Sequence, residues 1–168
     1  GVSAHGYVAL MSQGRFAEAL EVEKRSNPFP GICGRVCTHP CEKECSRRDV
    51  DQAVGVRNLK RFLAEWEVKA RREGRYPVAP VSPAGTPGAA PVPPVKKRSV
   101  RIAIVGSGPA GLTLAVDLTR EGYDCTVFEA LSRPGGTLLT GIPPYRLTRE
   151  IIETEVKAIE EMGVTIRL

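Results

Sequence analysis

Two groups of residues in this chain have the types and the spacing to do chemistry. Gly106, Gly108 and Gly111 stand at GxGxxG spacing, and Glu129 follows 18 residues after the last of them. Backbone bare of side chains can approach a pyrophosphate, and the free amides and dipole of a helix start receive its negative charge. A carboxylate at the position of Glu129 accepts hydrogen bonds from a ribose 2′-hydroxyl and repels a 2′-phosphate. The chemistry implied is the binding of an unphosphorylated adenine dinucleotide, FAD or NAD. The second group is Cys33, Cys37, Cys41 and Cys45, four apart, which places four of the five cysteines within 13 residues. In an intracellular chain such a cluster holds a metal more often than it forms disulfides. The spacing is neither a zinc-finger CxxC pair nor CxxxCxxC, so iron–sulfur and zinc both stay open, with His39 a candidate zinc ligand.

Three glycines mean little unless a strand and a helix carry them. Val100 to Val105 reads as a short buried strand, and Leu112, Leu114, Ala115 and Leu118 give the following helix its apolar side. Gly122 ends that helix at a C′ position. Asp124 to Phe128 is a second strand delivering Glu129 at its end, with Cys125 a small buried hydrophobe inside it. Thr140 to Thr148 is a loop, and Thr148 is an N-cap for a helix whose inner stripe is Ile152, Val156, Ile159 and Met162. Gly163 ends it, and Val164 to Leu168 opens a third strand.

The cysteines need a different support. Ala4 to Gln13 and Phe16 to Lys24 read as two short helices with Tyr7, Leu10, Met11, Phe16, Ala19 and Leu20 in the core. Asn27-Pro28-Phe29-Pro30-Gly31 breaks the helical pattern. Pro40 suits the first turn of a new helix that would put Cys41 and Cys45 on one face. Val54 to Glu73 is a long amphipathic helix with Leu59, Phe62, Leu63, Trp66 and Ala70 inside. These elements make an all-α domain of about 75 residues, a size at which a metal cluster helps as a staple.

Composition narrows the classes. The chain has 168 residues, 42% hydrophobic and 26% charged, which is ordinary for a globular protein. Its net charge of +5 comes from clusters at 57–75 and 96–101 with few aromatics interleaved, and the first shares its helix with Glu65, Glu67 and Glu73. That pattern argues against nucleic acid and for a solvated face or a docking surface for an acidic electron-transfer partner. No apolar run approaches the roughly 18 residues a membrane span needs, and no signal peptide is evident, so a cytoplasmic protein is expected. Between Pro77 and Pro94 lie seven of the 14 prolines and no charge, the composition of a semi-rigid linker. The chain starts without methionine and stops within the third strand, so a fragment of a longer protein is expected. Neither of the two histidines sits beside a Ser, Cys or Asp in a readable relay, so no catalytic residue is assigned.

Arg133-Pro134-Gly135-Gly136 resembles the glycine doublet of two-dinucleotide-binding-domain flavoproteins, which favours FAD over NAD. Taken together, NPFPGICGRVCTHPCEKEC, VGVRNLKRF and VRIAIVGSGPAGLTLAVDLTREGYDCTVFEALSRPGGTLLTGIPPYRLTREII resemble the glutamate synthase small (beta) subunit family. Its relatives include NADPH:ferredoxin transhydrogenases and the N-terminal part of dihydropyrimidine dehydrogenase. The resemblance implies an NAD(P)H-dependent flavoprotein oxidoreductase in which a hydride passes to FAD and electrons move singly into [4Fe-4S] clusters. It implies an α + α/β chain: an all-α, helical ferredoxin-like iron–sulfur domain at 1–75, a Pro-rich linker at 76–98, and the start of a Rossmann-like FAD-binding βαβ domain at 99–168.

By the same resemblance Cys37 and Cys41 match ligands of one cluster and Cys45 a ligand of the other, whereas Cys33 matches a position that need not ligate. The remaining cluster ligands come mainly from a segment upstream of Gly1, and the NAD(P)H site lies beyond Leu168. Lys60 and Arg61 stand where some relatives supply an unusual Gln or Glu ligand, and neither can serve as an ordinary one. Gly106, Ser107, Gly108, Pro109, Ala110 and Gly111 lie at the FAD diphosphate, Glu129 at the adenosine ribose, and Gly135, Gly136 and Thr137 near the diphosphate. Arg146 matches a residue that contacts the cofactor. The implied partner is a catalytic large subunit or an acidic carrier such as ferredoxin. The alternative is a non-catalytic docking or scaffold module bearing zinc or a cluster.

Overall fold

The computed structural model describes residues 2–76 and 96–168, and the proline-rich stretch expected to be a linker lies outside the described residues. The chain divides into two compact units, Gly1–Pro77 and Val78–Leu168.

The first unit is helical: α1 Ala4–Ser12, α2 Phe16–Lys24, α3 Pro30–Val36, α4 Pro40–Lys43, a single 3₁₀ turn Ser46–Asp49, and α5 Val56–Arg72. Its core is Tyr7 and Leu10 of α1, Ala19, Leu20 and Val22 of α2, and Leu63 and Ala70 of α5, closed by Tyr76. Rings extend the packing, with Phe16 edge-on to Phe62 at 5.2 Å and Trp66 edge-on to Tyr76 at 5.7 Å. Phe62 is nevertheless half exposed, at the rim of the stripe expected to face inward.

Two expectations fail here for readable reasons. Asn27 to Gly31 does not only break a helix, because Pro30 starts α3 at the first helical position, where its missing N–H would be unpaired anyway. Asn27 Oδ1 accepts the Phe29 N–H at 3.1 Å, a local turn that aims the chain into α3. Cys41 and Cys45 do not share a helical face. Helix α4 ends at Lys43, where Arg48 donates to the Lys43 carbonyl at 2.6 Å, and Cys45 is extended at the head of the 3₁₀ turn. Helix α3 packs on α5 so tightly that a Cβ on Gly34 would come within 2.7 Å of the Arg61 backbone.

The second unit is a parallel sheet in the order β1-β2-β3, with β1 Arg101–Val105, β2 Asp124–Phe128 and β3 Thr165–Arg167. Register pairs Arg101 with Asp124 and Val105 with Phe128, then Thr126 with Thr165. Helix α6 Pro109–Arg120 crosses from β1 to β2, a one-turn α7 Thr137–Thr140 follows, and α8 Arg149–Glu161 returns to β3. The core joins Ile104, Leu112, Ala115, Val116, Cys125 and Val127 with Ile152, Val156 and Ile159. Strand β1 is not the buried strand its apolar run suggests: only Ile104 is buried, and Val105 is 91% exposed. Its alternate residues face a side of the sheet that no described element covers, and Leu114 likewise points outward from α6.

Candidate functional site

The dinucleotide turn sits at the carboxyl ends of the strands, where open parallel sheets bind ligands. Gly106 N–H donates to the Phe128 carbonyl at 2.7 Å, and Glu129 N–H to the Arg167 carbonyl at 2.8 Å. The ladder thus extends one residue past each strand and fixes the backbone of both site segments. Gly108 caps α6, and Pro109 occupies its first turn. A Cβ on Gly111 would lie 2.0 Å from the Gly106 carbonyl oxygen, so the helix can seat against the turn only because Gly111 has none. A Cβ on Gly108, by contrast, meets no atom within 4 Å. The space beside Gly108 is the cradle that a side chain would fill.

The glycine doublet closes that cradle. Gly135 and Gly136 have φ of +133° and +52°, backbone that L side chains rarely adopt, and a Cβ on Gly136 would reach Gly108 Cα at 2.9 Å. Thr137 begins α7 directly after them. The two turns are joined through Ser107, which is fully buried. Its Oγ accepts the Gly135 N–H at 3.0 Å and donates to Glu129 Oε2, while its own N–H reaches the same oxygen at 2.9 Å. Glu129 Oε1 accepts the Leu131 N–H at 2.8 Å. The Ser107 hydroxyl first, then the Leu131 and Ser107 amides, hold the Glu129 carboxyl down to about pKa 2. Arg146 lies on the turn after α7, exposed, with its backbone N–H donating to the Pro143 carbonyl at 2.9 Å.

This geometry fits a dinucleotide diphosphate and an unphosphorylated ribose: an open, side-chain-free turn at a helix start, with an ionised carboxylate one strand away. The expected site residues Gly106, Ser107, Gly108, Pro109, Ala110, Gly111, Glu129, Gly135, Gly136 and Thr137 fall on contiguous segments of one strand-end edge. The Ser107 link between Glu129 and the doublet was not readable from spacing.

The cysteines are arranged otherwise. Cys37 caps the C-terminus of α3, Cys41 is exposed on α4, and Cys45 precedes the 3₁₀ turn. His39 lies between them in the left-handed region, and its N–H donates to Cys37 Sγ at 3.3 Å. Cys33 faces inward and hydrogen-bonds Asn27 Oδ1 at 3.5 Å. Among the described residues no three His, Cys, Asp or Glu side chains converge as a metal site. The buried Tyr7 hydroxyl, without a hydrogen-bond partner among the described residues, is raised in pKa by burial first and then by Glu23, Cys41 and Glu42. The amide donor on Cys37 suits a sulfur that ligates a metal. The thiols fit as single ligands of clusters completed by other donors, and not as a self-contained site.

Lys60 and Arg61 turn to carboxylates. Lys60 Nζ lies 3.4 Å from buried Glu23, and Arg61 pairs with Glu65 at 2.8 Å. Arg71 and Arg75 likewise pair with Glu67 and Glu73. Much of the basic character of this helix is therefore matched within the unit.

Comparison with known proteins agrees with both halves. Residues 1–72 match the family model described as dihydropyrimidine dehydrogenase domain II, 4Fe-4S cluster, and residues 104–153 the NAD(P)-binding Rossmann-like domain. The helical unit thus matches a 4Fe-4S domain, and the second unit matches the start of a Rossmann-like one. The chain as a whole is homologous to oxidoreductase subunits. The chain is 43% identical to the NADP(+)-dependent formate dehydrogenase subunit beta of Moorella thermoacetica, over 96% of this chain and 24% of the relative. It is 38% identical to the NADPH-Fe(3+) oxidoreductase subunit beta of Geobacter sulfurreducens, over 95% and 22%. It is 37% identical to the glutamate synthase [NADPH] small chain of Bacillus subtilis, over 92% and 28%. The resemblance to the glutamate synthase small-subunit family is borne out, and the chain spans about a quarter of the length of these relatives. Among the described residues no helix is long and apolar enough to cross a membrane.

Proposed function

We propose that this chain is the front part of an NAD(P)H-dependent oxidoreductase of the glutamate synthase small-subunit type, passing electrons through FAD and [4Fe-4S] clusters to a larger partner subunit or domain. The observation that carries the reading is the ionised Glu129 beside the open Gly108 turn, in a chain whose other unit matches a 4Fe-4S domain. A fixed carboxylate there repels a 2′-phosphate, yet the relatives are named for NADP and NADPH. The phosphorylated nicotinamide cofactor then needs another site, and this turn takes FAD. When bound, flavin and clusters supply hydride and single-electron chemistry, and the protein binds and orients them.

The residues divide that work. Gly106 to Gly111 receive the diphosphate on helix amides, Gly135, Gly136 and Thr137 close over it, and the Arg146 guanidinium offers a fork to a phosphate oxygen. Glu129 accepts from the adenosine ribose. Cys37 and Cys41 serve one cluster and Cys45 another, which agrees with three thiols that do not converge. The partner is inferred from relatives named as beta subunits or a small chain.

A second reading is a non-catalytic docking module whose cysteine site holds zinc or stays empty, and the lack of convergence among the described residues favours the empty form. An ultraviolet–visible spectrum, iron and zinc analysis and nucleotide extraction, on protein purified anaerobically from the complete reading frame, separate them. Extracted FAD with iron supports the electron-relay reading. Zinc without iron or flavin overturns it in favour of the docking module, and extracted NAD in place of FAD overturns the flavin assignment.

A further inference from the structure

We propose that the Ser107 hydroxyl is a positioning residue for the dinucleotide, presetting the second glycine turn and the ribose carboxylate against the first turn before ligand arrives. The inference rests on the dinucleotide reading above and concerns a side chain that a GxGxxG pattern leaves unspecified. Ser107 is fully buried, so its hydroxyl must find partners within the protein. It has one proton to donate and lone pairs to accept. The proton goes to Glu129 Oε2, and a lone pair takes the Gly135 N–H at 3.0 Å. The Ser107 backbone repeats both links, with its N–H on Glu129 Oε2 at 2.9 Å and its carbonyl accepting Gly135 N–H at 3.1 Å.

Three segments distant in sequence therefore meet at one residue: the first turn, the end of β2, and the glycine doublet 28 positions on. Each carries a different part of the ligand. Two Ser107 donors on Oε2 leave recognition of the ribose to Oε1, which the Leu131 N–H orients. Both turns bracket the open space beside Gly108, so their separation sets the width of the diphosphate cradle. Preorganisation of this kind raises affinity by removing the cost of ordering loops on binding. It also keeps Glu129 charged, since a carboxylate given a hydroxyl donor holds its proton weakly.

The test titrates FAD into flavin-stripped protein from the complete reading frame, for wild type, S107A, S107T, E129Q, S107A/E129Q and G108A, at several pH values between about 3 and 7.5. The expected S107A result is a dissociation constant raised roughly tenfold at neutral pH, the loss of one charge-assisted hydrogen bond. Its affinity weakens further as pH falls from about 4.5 toward 3, where the less tightly held Glu129 takes up a proton, while wild type stays nearly flat over that range. S107T, which keeps the hydroxyl, restores the flat profile even where its extra methyl lowers affinity overall. On the E129Q background S107A costs less than it does in wild type, the remainder coming from the lost Gly135 link. A wild-type affinity and flat profile in S107A overturn the positioning role, as does a sloping profile in S107T. Unchanged affinity in G108A overturns the underlying dinucleotide reading instead, so the two failures are distinguishable.

Discussion

Gly111 Cα and the Gly106 carbonyl approach so closely that a Cβ on the first would lie 2.0 Å from the oxygen of the second, whereas the same atom on Gly108 touches nothing within 4 Å. One glycine is needed by the fold, and the other leaves room for a ligand.

Gly111→Ala is accordingly expected to destabilise the second unit by about 3 kcal/mol, since backbone and helix must part to admit the methyl. Gly108→Ala, at the N-cap of α6 and meeting no atom, costs far less, roughly 1 kcal/mol, because alanine is a poorer N-cap than glycine. It still loses dinucleotide affinity. Urea unfolding together with FAD titration separates the two. Equal stabilities for both variants would contradict this division of labour.

Glu129 makes acid stability testable. Its folded pKa is held near 2, below an ordinary value of 4.5, so the stability it contributes is present above pH 4.5 and is lost as pH falls toward 2. E129Q removes the titrating group. Its unfolding free energy therefore falls less steeply than wild type between about pH 4.5 and 2, relative to each protein's value at pH 7. Parallel curves for the two would show that Glu129 is not held in this way.

In the helical unit, Lys24 Nζ lies 2.5 Å from Glu67 Oε2, and Arg71 joins the same carboxylate at 2.7 Å. The Lys24 and Glu67 side chains are only 11% and 9% exposed. Lys24→Met leaves Glu67 short of one cation and is expected to cost about 3 kcal/mol. Removing both charges together, as Lys24→Met with Glu67→Leu, recovers most of that loss, because the pair's attraction was offset by its desolvation. Thermal or urea unfolding of the three variants checks it. A double variant no better than the single would place the cost in packing.

This buried pair shows where sequence stops being legible. The glycine turn was readable because Gly106, with its positive φ, and Gly111, packed on the Gly106 carbonyl, answer demands made within a few residues. Strand β2, helix α8 and the Cys125 packing followed from periodicity for the same local reason. Lys24 and Glu67 are 43 positions apart, and each alone looks like a solvated charge on an amphipathic helix. Pro30 looks like a breaker until the preceding Asn27 turn makes it a helix start. Cys41 and Cys45 carry helical spacing, yet Arg48 stops the helix between them by capping the Lys43 carbonyl. The open face of β1 was hidden because a strand's apolar run does not say what covers it.

That separation of the cysteines leads to the last expectation. Cys37 receives an amide from His39 at the end of α3, Cys41 is exposed on α4, and Cys45 lies past the helix stop. Since no three ligand side chains converge among the described residues, Cys37→Ser and Cys45→Ser are expected to remove different clusters in the protein from the complete reading frame. Iron content then falls in both, but the residual electron paramagnetic resonance spectra of the reduced proteins differ, each lacking the signal the other retains. Cys33→Ser, whose thiol meets Asn27 inside the unit, keeps its iron and loses only stability. Identical residual spectra in the Cys37 and Cys45 variants would mean one shared site, and the two-cluster division of these thiols would be wrong.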